Sequence, residues 1–202
     1  MSVASVLMLV VKRARRMIAG ILVLAVCVGT APLLQAQDME VPVTLHIPLF
    51  FKVMSFDRAF PARTGRSLVI AVVYQRGNRA SIEARDEVLQ AIARTPRSAN
   101  GVERHGIAID LDSESLAARL IRESADVVYI TPLRSIDIRT IVTAAEAAGA
   151  STWTGVASYM AQGVSVGVRL ERDRPRIVIN RDASHRQRID FSSELLKLAD
   201  VI

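Results

Sequence analysis

Residues 163–202 read GVSVGVRLERDRPRIVINRDASHRQRIDFSSELLKLADVI, and the succession of periods within them decides the architecture. Val164, Val166 and Val168 alternate with Ser165, Gly167 and Arg169, the two-residue period of a strand with one buried face. Residues 171–175 are charged and carry a proline, so they read as a tight hairpin connection into a second strand over 176–180. After a polar stretch through Arg188, Phe191, Leu195, Leu198 and Ile202 recur at helical spacing and predict a closing helix. Two strands and one helix cannot bury these faces alone, so the rest of the chain must cover them.

Working upstream, residues 68–74 run LVIAVVY, almost without polar interruption, as expected of a strand buried on both faces of a parallel sheet. Gly77-Asn78 makes a turn into a helix over 81–93 with Ile82, Leu89 and Ile92 inward. Residues 96–101 are loop, and residues 107–109 form a second strand. Leu116, Leu120 and Ile121 mark a second helix, residues 127–130 a third strand, and Ile138, Ile141, Val142 and Ala145 a third helix stopped by Gly149. A short strand follows at 151–154. Ahead of all this, Leu45, Leu49, Val53 and Phe56 define one face of a helix within 41–56, which begins near Pro48 or kinks there. The alternation predicts an α/β fold: a mainly parallel sheet flanked by helices on both faces, with a C-terminal antiparallel hairpin and a closing helix.

Several of these segments carry a resemblance. Gly163, the hairpin, Ile179-Asn180 and FSSELLKLA at 191–199 are similar to the C-terminal signature of the YfiR-like family of periplasmic proteins, negative regulators of inner-membrane diguanylate cyclases. Ser55-Phe56-Asp57-Arg58 and Val128-Tyr129-Ile130-Thr131-Pro132 extend the match over nearly all of the chain after residue 40. The resemblance implies a non-enzymatic regulator whose partner is an inner-membrane signalling protein, and it also implies a homodimer. An edge strand in the terminal hairpin offers one route to the dimer. Asp57, Arg58, Tyr129, Pro132, Gly163, Asn180, Leu195 and Leu196 occupy family-motif positions, for which structural roles are expected; for Asp57 and Arg58 that means fixing a helix end.

The first 36 residues read as a secretory signal: Lys12, Arg13, Arg15 and Arg16, then an apolar run, then small and polar residues around Ala36-Gln37. Residues 37–202 would then form one periplasmic domain. A retained inner-membrane anchor is the alternative. The net charge of +6 falls to +2 without this segment, which holds four of the 26 basic residues and none of the acids. Nucleic acid is therefore not an expected partner, and Arg181, Arg186 and Arg188 read as solvated surface. Cys27 is the only cysteine. A processed chain has no disulfide, no thiol chemistry and no cysteine metal site, so the redox sensitivity associated with the resembled family does not carry over.

Motifs for catalysis are missing from the sequence. Gln75-Arg76-Gly77-Asn78 follows a strand but holds one glycine where nucleotide loops need several. No Gly-x-Ser-x-Gly elbow occurs. Asp110, Asp112 and Glu114 lack the glycine and final glutamate of a calcium loop, and capping of the next helix by Asp112 or Ser113 is the expected role. His46, His105 and His185 show no metal-ligand spacing. Neither cofactor nor metal is expected.

The remaining candidate is the crevice beyond the C-terminal ends of the parallel strands, where open α/β sheets bind ligands. Gln75, Arg76, Asn78, Ser81, Thr131 and Trp153 would gather there, with Arg76 and backbone amides able to hold an anion. A small-ligand-binding module feeding a sensor or uptake system is thus the alternative function. Ordinary turn residues, and core packing for Trp153, are the plainer reading of the same positions.

Overall fold

The computed structural model describes residues 39–60, 67–95, 102–113 and 115–202. The leader and its cleavage site, the loop at 96–101 and Glu114 lie outside the described residues. In chain order the elements are α1 (Val43–Met54), β1 (Ser67–Tyr74), α2 (Arg79–Arg94), β2 (Glu103–Asp110), α3 (Leu116–Arg122), β3 (Val127–Ile130), α4 (Ile138–Ala148) and β4 (Ser151–Thr154). A 3-10 helix (Ala157–Gln162) then leads to β5 (Val166–Glu171), β6 (Arg174–Ile179), α5 (Arg181–Arg186), α6 (Ser193–Leu198) and β7 (Asp200–Val201).

The seven strands form one sheet in the order β2-β1-β3-β4-β5-β6-β7. All neighbours are parallel except the β5–β6 hairpin. Successive residues of β1 feed opposite faces, as strand geometry requires. Leu68, Ile70 and Val72 meet Ile47, Phe50 and Val53 of α1 and Val88 and Ile92 of α2. Ala71 and Val73 meet Leu120 of α3 and Ile138 and Ile141 of α4. The expected α/β fold, with helices on both faces and an antiparallel C-terminal pair, is the observed one.

Particular elements depart from the sequence reading. Helix α1 starts at Val43 and runs through Pro48 rather than beginning there. Thr44 and Pro48 are both exposed, so water can reach the Thr44 carbonyl that loses its usual donor. Its buried face is Val43, His46, Ile47, Phe50, Val53 and Met54, while Leu45 is 53% exposed and Leu49 and Phe56 are half-buried. In α2 the buried residues are Ser81, Ala84, Val88 and Ile92, with Ile82 and Leu89 half-buried. In α3 Leu120 is buried but Ile121 is 62% exposed. The N-cap of α3 is Ser115, without a side-chain cap bond, rather than Asp112 or Ser113. Asp110 instead takes the Asp112 amide at 3.1 Å.

Differences concentrate in residues 163–202. The start of β5 is buried on both faces, because Met160 of the 3-10 helix lies directly on Gly167 and Ser165 bonds into β4. The hairpin turn is only Arg172-Asp173, with φ of 49° and 60°. Positive φ at both positions is the type I′ geometry that matches strand twist, and it favours Asn-Gly. Replacing the pair with Arg172→Asn and Asp173→Gly should raise stability by about 1 kcal/mol, read as an upward shift of the urea midpoint. Pro175 pairs with Leu170, whose amide donates outward to Glu40 at 2.9 Å, so the proline removes no ladder bond.

The polar stretch contains α5, which the sequence reading missed, although Asn180 caps it by accepting from the Ala183 amide at 2.9 Å. The closing helix is short. Leu195 is buried, Leu198 and Ile202 are exposed, and Phe191 precedes the helix in a bridge to Asp57. Ala199 is extended (φ −95°, ψ 160°), and Asp200-Val201 then pair with Val178-Ile179. The hairpin is therefore not the sheet edge: β7 covers β6.

Candidate functional site

The topology places its switch point between β1 and β3, since the chain steps from β1 outward to β2 and then back across to β3. Ligands of open α/β sheets bind at the C-terminal ends of the strands at such a point. Gln75, Arg76, Asn78, Ser81, Thr131 and Pro132 do converge there. Internal hydrogen bonds consume most of what they offer. Thr131 Oγ1 donates to the Val73 carbonyl at 2.9 Å and contacts Ser81 Oγ at 2.6 Å. Ser81 Oγ accepts the Gln75 amide at 2.9 Å, and Gln75 Oε1 accepts the Arg134 amide at 3.0 Å. Asn78 Nδ2 donates to the Pro132 carbonyl at 2.9 Å.

Asn78 Oδ1 is buried with no hydrogen-bond partner, which costs stability but gives a ligand no access, because the atom is enclosed. Arg76 is bound to Asp110 at 2.6 Å while its own side chain stays largely exposed. Trp153 does not join the group. It projects from β4 onto the same face, but under α1 and away from the strand ends, against Phe50 (ring centroids 5.4 Å) and Phe51 (6.4 Å). The physical reason is register: Trp153 lies beside Tyr129, two residues short of Thr131, so both rings pack under α1 rather than at the strand ends.

That face holds a buried network which sequence spacing could not reveal. His46, fully buried, places Nδ1 3.0 Å from the Val41 carbonyl and Nε2 2.7 Å from the Tyr129 hydroxyl. A carbonyl only accepts, so Nδ1 carries the proton and the Tyr129 hydroxyl donates to Nε2. The Met39 sulfur lies 3.4 Å from the same hydroxyl. Burial pushes the His46 pKa down to about 4, against a smaller upward pull from the Val41 carbonyl. Burial likewise pushes the Tyr129 hydroxyl above its ordinary value. The network joins the entry segment at Met39–Val41, α1 and the centre of the sheet.

The other motif positions contact backbone or core. Asp57 Oδ1 accepts the amides of Ala59 at 2.9 Å and Asp190 at 3.0 Å, fastening the end of α1 to the C-terminal segment. The Arg58 amide donates to the Asp190 carbonyl at 2.9 Å, and the Ser192 amide to Phe56 at 3.0 Å. Gly163 closes the 3-10 helix with φ of 98°. Asn180 Nδ2 donates to the Met160 carbonyl at 3.1 Å. Leu195 is buried and Leu196 half-buried.

Among the described residues, recesses lie at the N-terminal ends of the strands, an open one of about 300 Å³ running between the end of α2 and Glu103–His105. Another, bordered by Asp57, Phe60, Trp153, Ile189 and Phe191, is about 10 Å³, room for a single water. A third, about 90 Å³, is walled by Phe51, Met54, Phe60, Leu68 and Val102, with Arg104 stacked 4.3 Å over the Phe51 ring. No group of His, Cys, Asp or Glu among the described residues is arranged to hold a metal. No described helix is long and apolar enough to cross a membrane. An apolar cluster is exposed at the C-terminal edge of the sheet: Leu198 at 70%, Val201 at 43% and Ile202 at 57%.

A central, mainly parallel sheet layered by helices on both faces defines the chain as an α/β domain. Residues 45–200 match the YfiR/HmsC-like family, DUF4154. The chain belongs to that family, whose members are periplasmic regulatory proteins. No curated protein matches it.

Among solved structures it is similar to a conserved domain protein from Vibrio cholerae O1 biovar El Tor, at 15% identity and a TM-score of 0.52, covering 79% of this chain and 60% of that one. It is also similar to an ABC domain from Streptococcus pneumoniae in complex with L-Trp, at 14% identity and a TM-score of 0.56, covering 80% and 60%. A ligand-free, open substrate-binding protein with adhesive properties from Clostridium difficile matches at 12% identity and a TM-score of 0.52, again covering 80% and 60%. The chain thus spans about 60% of the length of these structures. At such identities the likeness concerns the fold.

Proposed function

We propose that this chain is a non-enzymatic periplasmic regulator that binds the periplasmic part of an inner-membrane diguanylate cyclase and holds it inactive, so that its release raises cyclic di-GMP. Residues 1–36 export it, and residues 37–202 act as one domain. Family membership supports the class of protein. The observation that carries a protein partner is the exposure of Leu198 at the end of α6, Val201 in the short edge strand β7 and Ile202 just after it. Exposed apolar side chains mark interfaces, and Asp200, next to Val201, is ion-paired with Arg169, which also reaches Glu171. Apolar and charged side chains side by side are what a protein interface uses.

Deleting the gene should raise cellular cyclic di-GMP, and the exported protein should restore it while a form without the leader does not. Leu198→Glu with Ile202→Glu should fail to restore it while the purified variant melts within a few degrees of the wild type. Unchanged cyclic di-GMP on deletion across several growth conditions would sink the proposal.

A small-ligand-binding module is the second reading, favoured by the 90 Å³ apolar recess beside Arg104 and by the likeness in fold to substrate-binding proteins. Since the crevice at Asn78 and Thr131 is filled, the ligand of that reading belongs in the recess under α1. Thermal-shift screening of the wild type against Leu68→Trp, which fills the recess, separates the two readings.

A further inference from the structure

Residues 39–202 contain no cysteine, and their only sulfur atoms belong to Met39, Met54 and Met160. The three settings differ. Met54 is 7% and Met160 3% exposed, the latter lying directly on Gly167, whereas Met39 is only half-buried in the entry segment ahead of α1. Oxidation of a thioether follows its access to solvent, so Met39 is the methionine that a dissolved oxidant reaches first.

The place it occupies is closely packed. The Met39 sulfur lies 3.4 Å from the Tyr129 hydroxyl, and a Cβ on Gly155 would come within 2.9 Å of it. His46 Cε1 approaches the same point at 2.9 Å. The absence of a side chain at Gly155 thus lets sulfur and imidazole stand together against the backbone. Three ties hold the segment that bears Met39. Its side chain touches apolar residues of both core clusters, the Val41 carbonyl accepts from His46 Nδ1, and Glu40 accepts the Leu170 amide of β5 at 2.9 Å.

We propose that Met39 is an oxidation site, converted by hypochlorous acid to methionine sulfoxide, and that this change releases the entry segment from His46 and Tyr129. The step is a two-electron oxidation. The sulfur gains one oxygen atom and gives up an electron pair, and the oxidant leaves as chloride and a proton. The product is polar and accepts hydrogen bonds far better than a thioether, which is a weak acceptor. In place, its oxygen competes with His46 Nε2 for the Tyr129 proton, and a fully buried ring nitrogen that loses its donor destabilises the fold. Out of place, it draws Met39 away from the apolar layers and slackens the tie between Glu40 and Leu170. The segment loosens on either course. Sulfoxide reductases return the thioether, so the change is reversible.

The test uses protein expressed from the full reading frame and purified after export, treated with a limiting amount of hypochlorous acid. Peptide mass mapping should show Met39 oxidised about tenfold faster than Met54 and Met160. The oxidised protein should melt about 5 °C lower, and methionine sulfoxide reductases should restore it. Met39→Leu conserves volume and apolarity, so it should melt near the wild type with or without oxidant. Met39→Gln, which sets a polar group against Tyr129 permanently, should melt low from the start and drop no further on treatment. Oxidation spread evenly over the three methionines overturns the proposal. So does a wild type whose melting temperature is unchanged once Met39 carries the oxygen, or a Met39→Leu protein that loses as much as the wild type.

Discussion

Acidification from about pH 7.5 to pH 4 should cost this protein about 3 kcal/mol through His46 alone. In the folded protein His46 stays neutral down to about pH 4, since its ring is buried and Nε2 must remain an acceptor for Tyr129. In the unfolded chain the same ring takes a proton near its ordinary value of 6.5. Between those values the unfolded state binds more protons, so stability falls as pH drops. The contribution is complete above pH 6.5 and is lost progressively towards pH 4. Carboxylates also titrate in this range, so the informative quantity is a difference. His46→Gln keeps a polar group without a titration, and its urea midpoint should decline less over the same interval. Equal declines in wild type and variant would show that His46 does not titrate as its burial dictates.

Phe50→Ala should be the most damaging single truncation in α1, at about 3–5 kcal/mol. Phe50 is fully buried and touches three rings at once: His46 at 5.2 Å, Trp153 at 5.4 Å and Tyr129 at 6.3 Å between centroids. Removing it opens a cavity in the layer that joins α1 to the sheet and loosens the packing that keeps His46 dry. The variant should therefore also shift the acid response, because a hydrated His46 recovers part of its ordinary basicity. Leu45→Ala on the same helix is the contrast: Leu45 is half exposed, and its loss should change stability by less than about 1 kcal/mol. Comparable midpoints for the two variants would contradict the assignment of the buried face.

What could be read from the chain, and what could not, divides along physical lines. Strands β3 and β4 fall on residues 127–130 and 151–154 as expected from apolar runs and flanking turns. Helix α4 ends where Gly149 adopts φ of 74°, the conformation its lack of a Cβ permits. These are local signals. The face of α1 was misjudged because apolarity alone favoured Leu45 and Leu49, whereas His46 is buried by virtue of two partners, Val41 and Tyr129, the second 83 positions away. The convergence of Gln75, Asn78, Ser81 and Thr131 was legible from strand ends. That most of their polar atoms are already bonded, Asn78 Oδ1 excepted, depends on distances no spacing encodes.

The end of the chain shows the same division most clearly. Phe191, Leu195, Leu198 and Ile202 have helical spacing, yet only one turn and a half of helix forms. Ile179 and Val178 present an open edge, and pairing the last residues with it satisfies backbone groups on both strands. Local period was sufficient to establish a parallel α/β sheet, helices on both of its faces and a C-terminal hairpin. Strand order, the face each helix turns inward, the position of Trp153 and the final strand came from the tertiary arrangement. Each of these depends on which distant backbone or side-chain group supplies the missing partner.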